Sequence, residues 1–509
     1  MHYAYDWTPP LPKTTSWVFD GSFDDLAAHG ATWPAGASWR ATTAVTNGAA
    51  EALYATTPLG GQFIVSNWQE RDERGQVVRK VEPFYSPTAT PAAAAAGART
   101  QTVAYDSQGR TRLQVLSNGA TKTTTYQALG QTVASTDLGP VSSEVDGLQR
   151  IVHTERDPGT GVVEMVDARY DAAGRITSMR LQGGEVVHSF VYDTLGRLTA
   201  ANDPDIGPRQ LAYNDANFLV QYTNGVGQSV YFGYDAAGRL SRRGEASTPG
   251  PTDYTYTYDS ASAAVGSGCQ VASRLAAVTE PQGSVQFCYD VLGRQIGMAR
   301  TISVPDAAST SGARSQSLSP SGLLLSETFD DGFDTGYQYD AAARVVTVTS
   351  AGSPLWTADQ IDAAGRVVSE HYGNGVTQAY QYDALGLSSS ITVKPPSAPS
   401  LYDVAIQRNA YGAPTLVTDN DGQGLDQSAS YGYDGAGRLR SATLGTDPTG
   451  GAPNQKYTFG YQYDALQNMT LRTVTGPQDI GVLAGTYHYG ERGYGPRQLT
   501  SVTPVGGGS

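Results

Sequence analysis

Short runs of alternating apolar and polar residues, each ending in a glycine turn, fill most of the chain. Segments such as "YTYTYD" and "RLTAAND" alternate with a period of two, which places alternate side chains on opposite faces of a strand. Between the runs one phrase keeps returning: "YDAAGRI" from Tyr170, "YDTLGRL" from Tyr192, "YDAAGRL" from Tyr234, "YDVLGRQ" from Tyr289 and "YDGAGRL" from Tyr433. The tyrosines Tyr170, Tyr192, Tyr213 and Tyr234 are spaced by 22, 21 and 21 residues. Later gaps widen where Gly/Pro/Ser-rich inserts such as "STPGPTD" and "SVPDAASTSGARSQ" intrude. Degenerate copies, among them "VDGLQRIV", "YNDANFLV" and "IDAAGRVV", fill the intervals, so the array is a repeat of about 21 residues.

Each unit reads as two strands. Asp-x-x-Gly suits a β-turn with Asp first and Gly fourth, and the carboxylate can accept from backbone amides two residues on. A second turn, in several units Asn-Gly, follows an alternating run, as in "LSNGATKTTTY", "YTNGVGQSVYFGY" and "HYGNGVTQAYQY". About fifteen such units predict roughly thirty antiparallel strands and a sheet ~145 Å along its hydrogen-bonding direction. A sheet that long twists and cannot stay flat with free edges. Thirty strands cannot close on their own side chains, so the ribbon must stack on itself as a solenoid, split into blades or wind around a cavity. Its polar-flecked faces suit a hollow, wet-lined shell better than a dry core.

Composition sharpens this picture. Hydrophobic residues are 39% and charged residues 16% of 509, with 59 Gly and 31 Tyr against 11 Phe. That balance fits many short Tyr/Thr/Val strands joined by glycine turns. The net charge of −14 disfavours nucleic acid as a partner, because phosphate binding needs a positive footprint. Of the 34 basic residues 29 are Arg, whose planar fork stacks on rings and bridges carboxylates. No stretch approaches the ~18 apolar residues of a membrane span. The start "MHYAYDWTPPLPKTTSW" lacks the basic and apolar regions of a signal peptide.

The candidate site residues are those of the repeat itself, expected to serve structure. They are Tyr105, Asp106 and Arg110; Tyr170, Asp171 and Arg175; Tyr192, Asp193 and Arg197; Tyr234, Asp235 and Arg239; Tyr289, Asp290 and Arg294; and Tyr433, Asp434 and Arg438. Each arginine is expected to stack on a neighbouring unit's tyrosine or pair with its aspartate. Cys269 and Cys288, the only cysteines, flank a turn at Glu280 to Gly283 and are candidates for a disulfide across adjacent strands.

No catalytic residue, metal or cofactor is assigned. The six histidines are scattered without ligand spacing. Neither a Gly-x-Ser-x-Gly elbow nor a phosphate-binding Gly-rich loop occurs. Asp419, Asp421 and Asp426 cluster around a glycine as calcium ligands do, but the run is too short for an EF-hand and falls where an inter-strand turn belongs.

The "YDxxGR" unit and its period resemble the YD repeat of the RHS family, which includes bacterial Rhs polymorphic toxins, the C component of insecticidal toxin complexes and the teneurins. "DGLQRIVHTERDPGTGVVEMVDARYDAAGRI" resembles the toxin-type members, and "YHYGERGYGPRQLTSV" a segment they carry near the end of their shell. The resemblance implies an all-β fold: a long antiparallel β-sheet of YD-repeat hairpins spiralling into a hollow shell that holds a C-terminal toxin. It implies a secreted or cell-surface, non-enzymatic shell whose partners are an encapsulated toxin polypeptide, absent here, and the rest of the shell. The family's aspartate self-cleavage motif, two Asp-Pro pairs at fixed spacing, has no counterpart: Asp157, Asp203 and Asp447 each precede proline singly. The expected organisation is an atypical lead-in or cap over 1–65, the repeat shell over 66–500 and a linker or cut end over 501–509, leaving the shell incomplete. "SPTATPAAAAAGA" reads as a flexible insert. The alternative function is cell-surface adhesion or glycan binding on Tyr-rich strand faces.

Overall fold

The computed structural model describes residues 2–6, 11–19, 39–47, 49–182, 186–260, 268–303, 308–420, 428–445, 456–476 and 484–504. Among these are 42 strands and one 3₁₀ turn, Glu491–Gly493. The excess over thirty comes in part from the lead-in, which supplies five strands before residue 67. No helix among the described residues is long and apolar enough to cross a membrane.

The chain divides into two compact units. One comprises Met1–Arg99, Asn214–Gln221 and Ser229–Gln378, and the other Thr100–Tyr213, Tyr222–Gln228 and Ala379–Ser509. Within each, strands pair antiparallel with their sequence neighbours, as in Glu164–Tyr170 with Ile176–Leu181 and Ile176–Leu181 with Val186–Tyr192.

One turn builds the array. Asp171 donates its backbone N–H to the Arg175 carbonyl at 2.9 Å, and Gly174 donates to the Asp171 carbonyl at 3.1 Å. Gly174 sits at φ +83°, a left-handed conformation that glycine adopts without a Cβ penalty. A turn closed by a left-handed residue shifts the register by one, the G1 bulge. The shift falls between Arg169 and Tyr170, where Arg169 faces Ser178 and Tyr170 faces Ile176. The same shift precedes Tyr192, Tyr289 and Tyr433. The Asn-Gly pairs also mark turns, but of this same kind. In "LSNGA" the bonds run from Gly119 to the Leu116 carbonyl and from Leu116 to Ala120, with only Gly119 left-handed. In "TNGVGQ" Asn224 takes the aspartate's place and Gly227 the glycine's.

Burial is shallow along the repeats. The strands Ile176–Leu181, Ser229–Tyr234, Val345–Ser350 and Pro414–Asp419 are half-buried at every position, so neither face is sealed by a second packed layer. A fully dry cluster occurs instead around the lead-in, where His2–Asp6, Lys13–Phe19, Trp39–Thr46, Ala52–Leu59, Gln62–Ser66 and Phe84–Ser86 form a six-stranded sheet. Val45, Tyr54, Val65, Trp68, Val81 and Phe84 are its core, with Tyr54 stacked on Trp68 at 4.8 Å. Ala94, Ala95 and Ala98 of the alanine-rich insert pack against it, their small side chains lying close to the aromatic cluster. This sheet takes in Phe84–Ser86 from beyond residue 66. At the other end strand Leu499–Pro504 continues into the stretch expected to be linker.

Candidate functional site

The repeated residues converge on one arrangement, seen most completely at Asp171, Arg175 and Tyr192. Asp171 Oδ1 accepts the backbone N–H groups of Ala173 and Arg175, each at 2.9 Å. Its Oδ2 accepts from Arg175 Nε at 2.7 Å. The guanidinium then lies over the Tyr192 ring at 4.8 Å and donates to the Asp193 carbonyl at 3.4 Å. Tyr192 returns the link by donating its hydroxyl to the Ile176 carbonyl at 2.9 Å. Each arginine thus binds its own aspartate, which fixes its plane, and the plane covers the next unit's ring.

The pattern repeats along the chain. Arg110 covers Tyr126, Arg150 covers Tyr170, Arg197 covers Tyr213, Arg239 covers Tyr258 and Arg438 covers Tyr463, with centroid distances of 4.0 to 4.8 Å. Each of those tyrosines donates to the carbonyl of the residue after its arginine: Thr111, Ile151, Leu198, Leu240 and Leu439. The arginine therefore reaches the next tyrosine and, in most units, not the next aspartate's side chain. Arg239 is an instance of both, with Nη2 2.8 Å from Asp259.

The remaining repeat residues show how the link survives substitution. Arg294 binds Asp290 at 2.6 Å, but Leu318 holds the position where a tyrosine would stand, and Nη1 donates to the Ser319 carbonyl at 2.7 Å. In "YNDANFLV", Phe218 replaces the arginine and stacks on Tyr234 at 4.7 Å, while Tyr234 still donates to the Leu219 carbonyl at 2.9 Å. Tyr289 and Tyr433 donate to the Leu275 and Pro414 carbonyls. Tyr105 closes the strand Thr100–Tyr105 ahead of the Asp106–Arg110 turn.

Electrostatics follow from this geometry. Bonds from the arginine's backbone N–H, then its side chain, hold the carboxyls of Asp106, Asp171, Asp193 and Asp235 below the usual range. Burial pushes the hydroxyls of Tyr234, Tyr289 and Tyr433 up, keeping them neutral donors.

A second set of contacts escaped the sequence reading: turns far apart in the chain are stitched together within the unit holding Thr100–Tyr213. Arg497 donates to Asp205 through its backbone N–H and Nε, each at 2.7 Å. Arg438 meets Glu164 at 2.8 Å, Gln182 donates to the Ala465 carbonyl at 2.9 Å, and Ala410 donates to Asp137 at 2.8 Å. Gly139 and Gly435 make a backbone bond of 2.8 Å, and Gly435 donates to the Pro158 carbonyl at 2.8 Å. The one available signal was Gly435 itself, where comparable units carry Ala172, Thr194 or Ala236.

Cys269 and Cys288 are joined by a disulfide at an S–S distance of 2.03 Å, with Cys288 buried in strand Gly283–Tyr289. His153, His188, His371 and His488 each lie beside a carboxylate. No group of three or more metal-binding side chains occurs among the described residues. Asp421 and Asp426 lie outside them, as does Asp447.

Residues 98–302 match the Teneurin YD-shell family model. No curated protein sequence matches the chain. Among solved structures, a crystal structure of TcdB2-TccC3 aligns over 96% of this chain and 28% of its own, with TM-score 0.81 and 16% identity. A crystal structure of TcdB2-TccC3-Cdc42 aligns over the same shares, with TM-score 0.80 and 16% identity. The Tc holotoxin pore of Photorhabdus luminescens aligns over 92% of this chain and 26% of its own, with TM-score 0.75 and 16% identity. The chain thus spans little more than a quarter of the length of these proteins, and the likeness is one of fold.

Proposed function

We propose that the chain is one of the RHS/YD-repeat proteins and, on that premise, a non-catalytic wall segment of a hollow shell that encloses a toxin polypeptide and shields it during export. The observation that carries this reading is the ladder of half-buried strands tied unit to unit by Asp, Arg and Tyr. Such a ladder is one sheet thick, and its stabilising contacts lie within the sheet instead of in a packed core beneath it. A wall of that kind separates two compartments while leaving the enclosed side free. Exclusion is then the mechanism: a continuous hydrogen-bonded sheet keeps protease and solvent from the contents. The lead-in sheet, with its dry aromatic core, serves as a cap on this reading, since an end unit of repeat form would leave its edge open. Export to the cell surface or beyond fits a wall clamped by the Cys269–Cys288 bond.

The adhesion reading is weakened by the same geometry. A sugar-stacking tyrosine needs a free ring face, yet the rings of Tyr126, Tyr170, Tyr192 and Tyr463 each carry a guanidinium.

The test is protease protection. An unfolded, protease-sensitive polypeptide is joined after residue 509, and its digestion is followed beside that of the same polypeptide free in solution. Strong slowing supports enclosure, and digestion at the free rate contradicts it.

A further inference from the structure

Two cavities line the seam where the early and late turns of the unit holding Thr100–Tyr213 are stitched together. One, of about 320 Å³, is walled by Val133, Leu138 and Val141. The other, of about 270 Å³, is walled by Val166, Leu181 and Leu466 on one side and by the polar Glu164, Gln182 and Gln467 on the other. Arg156 and Val141 border both, so the cavities flank a single guanidinium.

Glu164 stands opposite Arg156 in the ladder and borders the same cavity, but it is not bonded to it. Arg156 forms no ion pair or side-chain hydrogen bond with any described residue, and neither does Lys122 at the far side of the larger cavity. The other ionised groups on the seam are already engaged: Glu164 by Arg438 at 2.8 Å and Gln467 at 3.1 Å, and Arg497 by Asp205. Other arginines, among them Arg180 and Arg209, also lack an ion pair, but Arg156 is set apart by bordering two cavities at once. An apolar site with a few placed polar groups is the usual form of a ligand site.

We propose that this seam binds an extended acidic peptide, with a carboxylate on Arg156 and an aliphatic side chain in each flanking cavity. An extended chain directs residues i, i+2 and i+4 to one face, so the recognised pattern is aliphatic-x-acidic-x-aliphatic. Arginine binds a carboxylate through paired N–H donors, which gives the central position its specificity. The choice of a polypeptide as occupant rests on the container reading, but the binding itself does not require a closed shell. Loss of peptide binding with protease protection retained would remove this proposal alone.

The probe is fluorescein-labelled Gly-Ser-Leu-Ser-Glu-Ser-Leu-Ser-Gly, blocked at its C-terminus and titrated with the full chain by fluorescence anisotropy. Saturable binding is expected, weakened at least tenfold by Arg156→Glu and left unchanged by Lys80→Ala. The same peptide with Lys in place of Glu should bind Arg156→Glu at least tenfold more tightly than the native chain. That reversal excludes a merely misfolded variant, and unchanged far-UV circular dichroism of Arg156→Glu checks the fold directly. No saturable binding, equal binding to both proteins, or displacement by a polyanionic oligosaccharide lacking aliphatic groups would overturn the proposal.

Discussion

Arg497 grips Asp205 in the same way that Arg175 grips Asp171. In both pairs one carboxylate oxygen takes the arginine's backbone N–H and the other takes Nε, with distances of 2.7 to 2.9 Å. The Asp171 pair spans four residues within one turn, whereas the Asp205 pair spans 292. The chain therefore uses one recognition unit at two scales, closing a hairpin and fastening distant turns together. Gln498 adds a bond to the Asp205 carbonyl.

The unit-to-unit link predicts coupling between Arg175 and Tyr192. Tyr192→Phe removes the donor to the Ile176 carbonyl and should cost about 1 kcal/mol. Arg175→Ala combined with Tyr192→Phe or Tyr192→Leu in a double-mutant cycle should show a coupling energy of about 0.5–1 kcal/mol only for the variant that deletes the ring. Urea denaturation midpoints measure both.

Gly435 and Gly147 occupy the same position of their turns and should respond oppositely to alanine. A Cβ at Gly435 would lie 2.7 Å from the Pro158 carbonyl oxygen and 2.9 Å from the Gly139 nitrogen, whereas one at Gly147 meets nothing within 4 Å. Gly435→Ala should destabilise by about 1–3 kcal/mol, the range for forced overpacking. Gly147→Ala should be neutral or slightly stabilising.

Ala343 stands where the turn calls for glycine, at φ +61°. Its neighbours keep the standard bonds, with Ala343 donating to the Asp340 carbonyl at 2.9 Å and Arg344 Nε to Asp340 at 2.6 Å. The left-handed conformation costs a residue with a Cβ about 1 kcal/mol, so Ala343→Gly should raise stability by up to that amount. Thermal or urea midpoints read the gain.

Acid should loosen the array. The carboxyls of Asp106, Asp171, Asp193 and Asp235 titrate below their unfolded values, so the folded chain binds protons less readily than the unfolded one. Their contribution is complete above the unfolded aspartate value near ~3.9 and is lost as pH falls through the folded values. His153 acts in the opposite sense. Its hydrogen bond to Asp167 raises it above the ordinary value, so its contribution is complete below ~6.5 and lost as pH rises through the folded value. Urea midpoints should therefore fall steeply below about pH 4. They should also decline slightly above neutrality, and His153→Gln should abolish only that decline.

What the sequence made legible was local. The 21-residue period, the Asp-x-x-Gly turn and the stacking of arginine on the next tyrosine all join residues within a unit or two, where spacing alone decides who meets whom. The tyrosine hydroxyl's bond to the Ile176-type carbonyl was not legible, because the bulge that aims it depends on the left-handed glycine. Phe218 was hidden for a related reason: a stacking partner need not be a cation, so a motif written around arginine passes over it. The seams at Asp205–Arg497, Glu164–Arg438 and Gly139–Gly435 join residues about 270 to 300 positions apart. No periodicity encodes that offset, since it depends on how many units pass before the ladder returns. The packing of Ala94, Ala95 and Ala98 against the aromatic cluster was not legible either, because composition does not say which small side chains meet which core.

Small-angle X-ray scattering of the purified chain tests the wall reading most directly. A solid globule of 509 residues has a radius of gyration near ~23 Å. A single-sheet wall around a cavity predicts a value clearly above that, with a deep first intensity minimum and a distance distribution skewed to long vectors. A value near ~23 Å with a symmetric distribution would contradict it, because the sheet would then be packed against itself with no enclosed space.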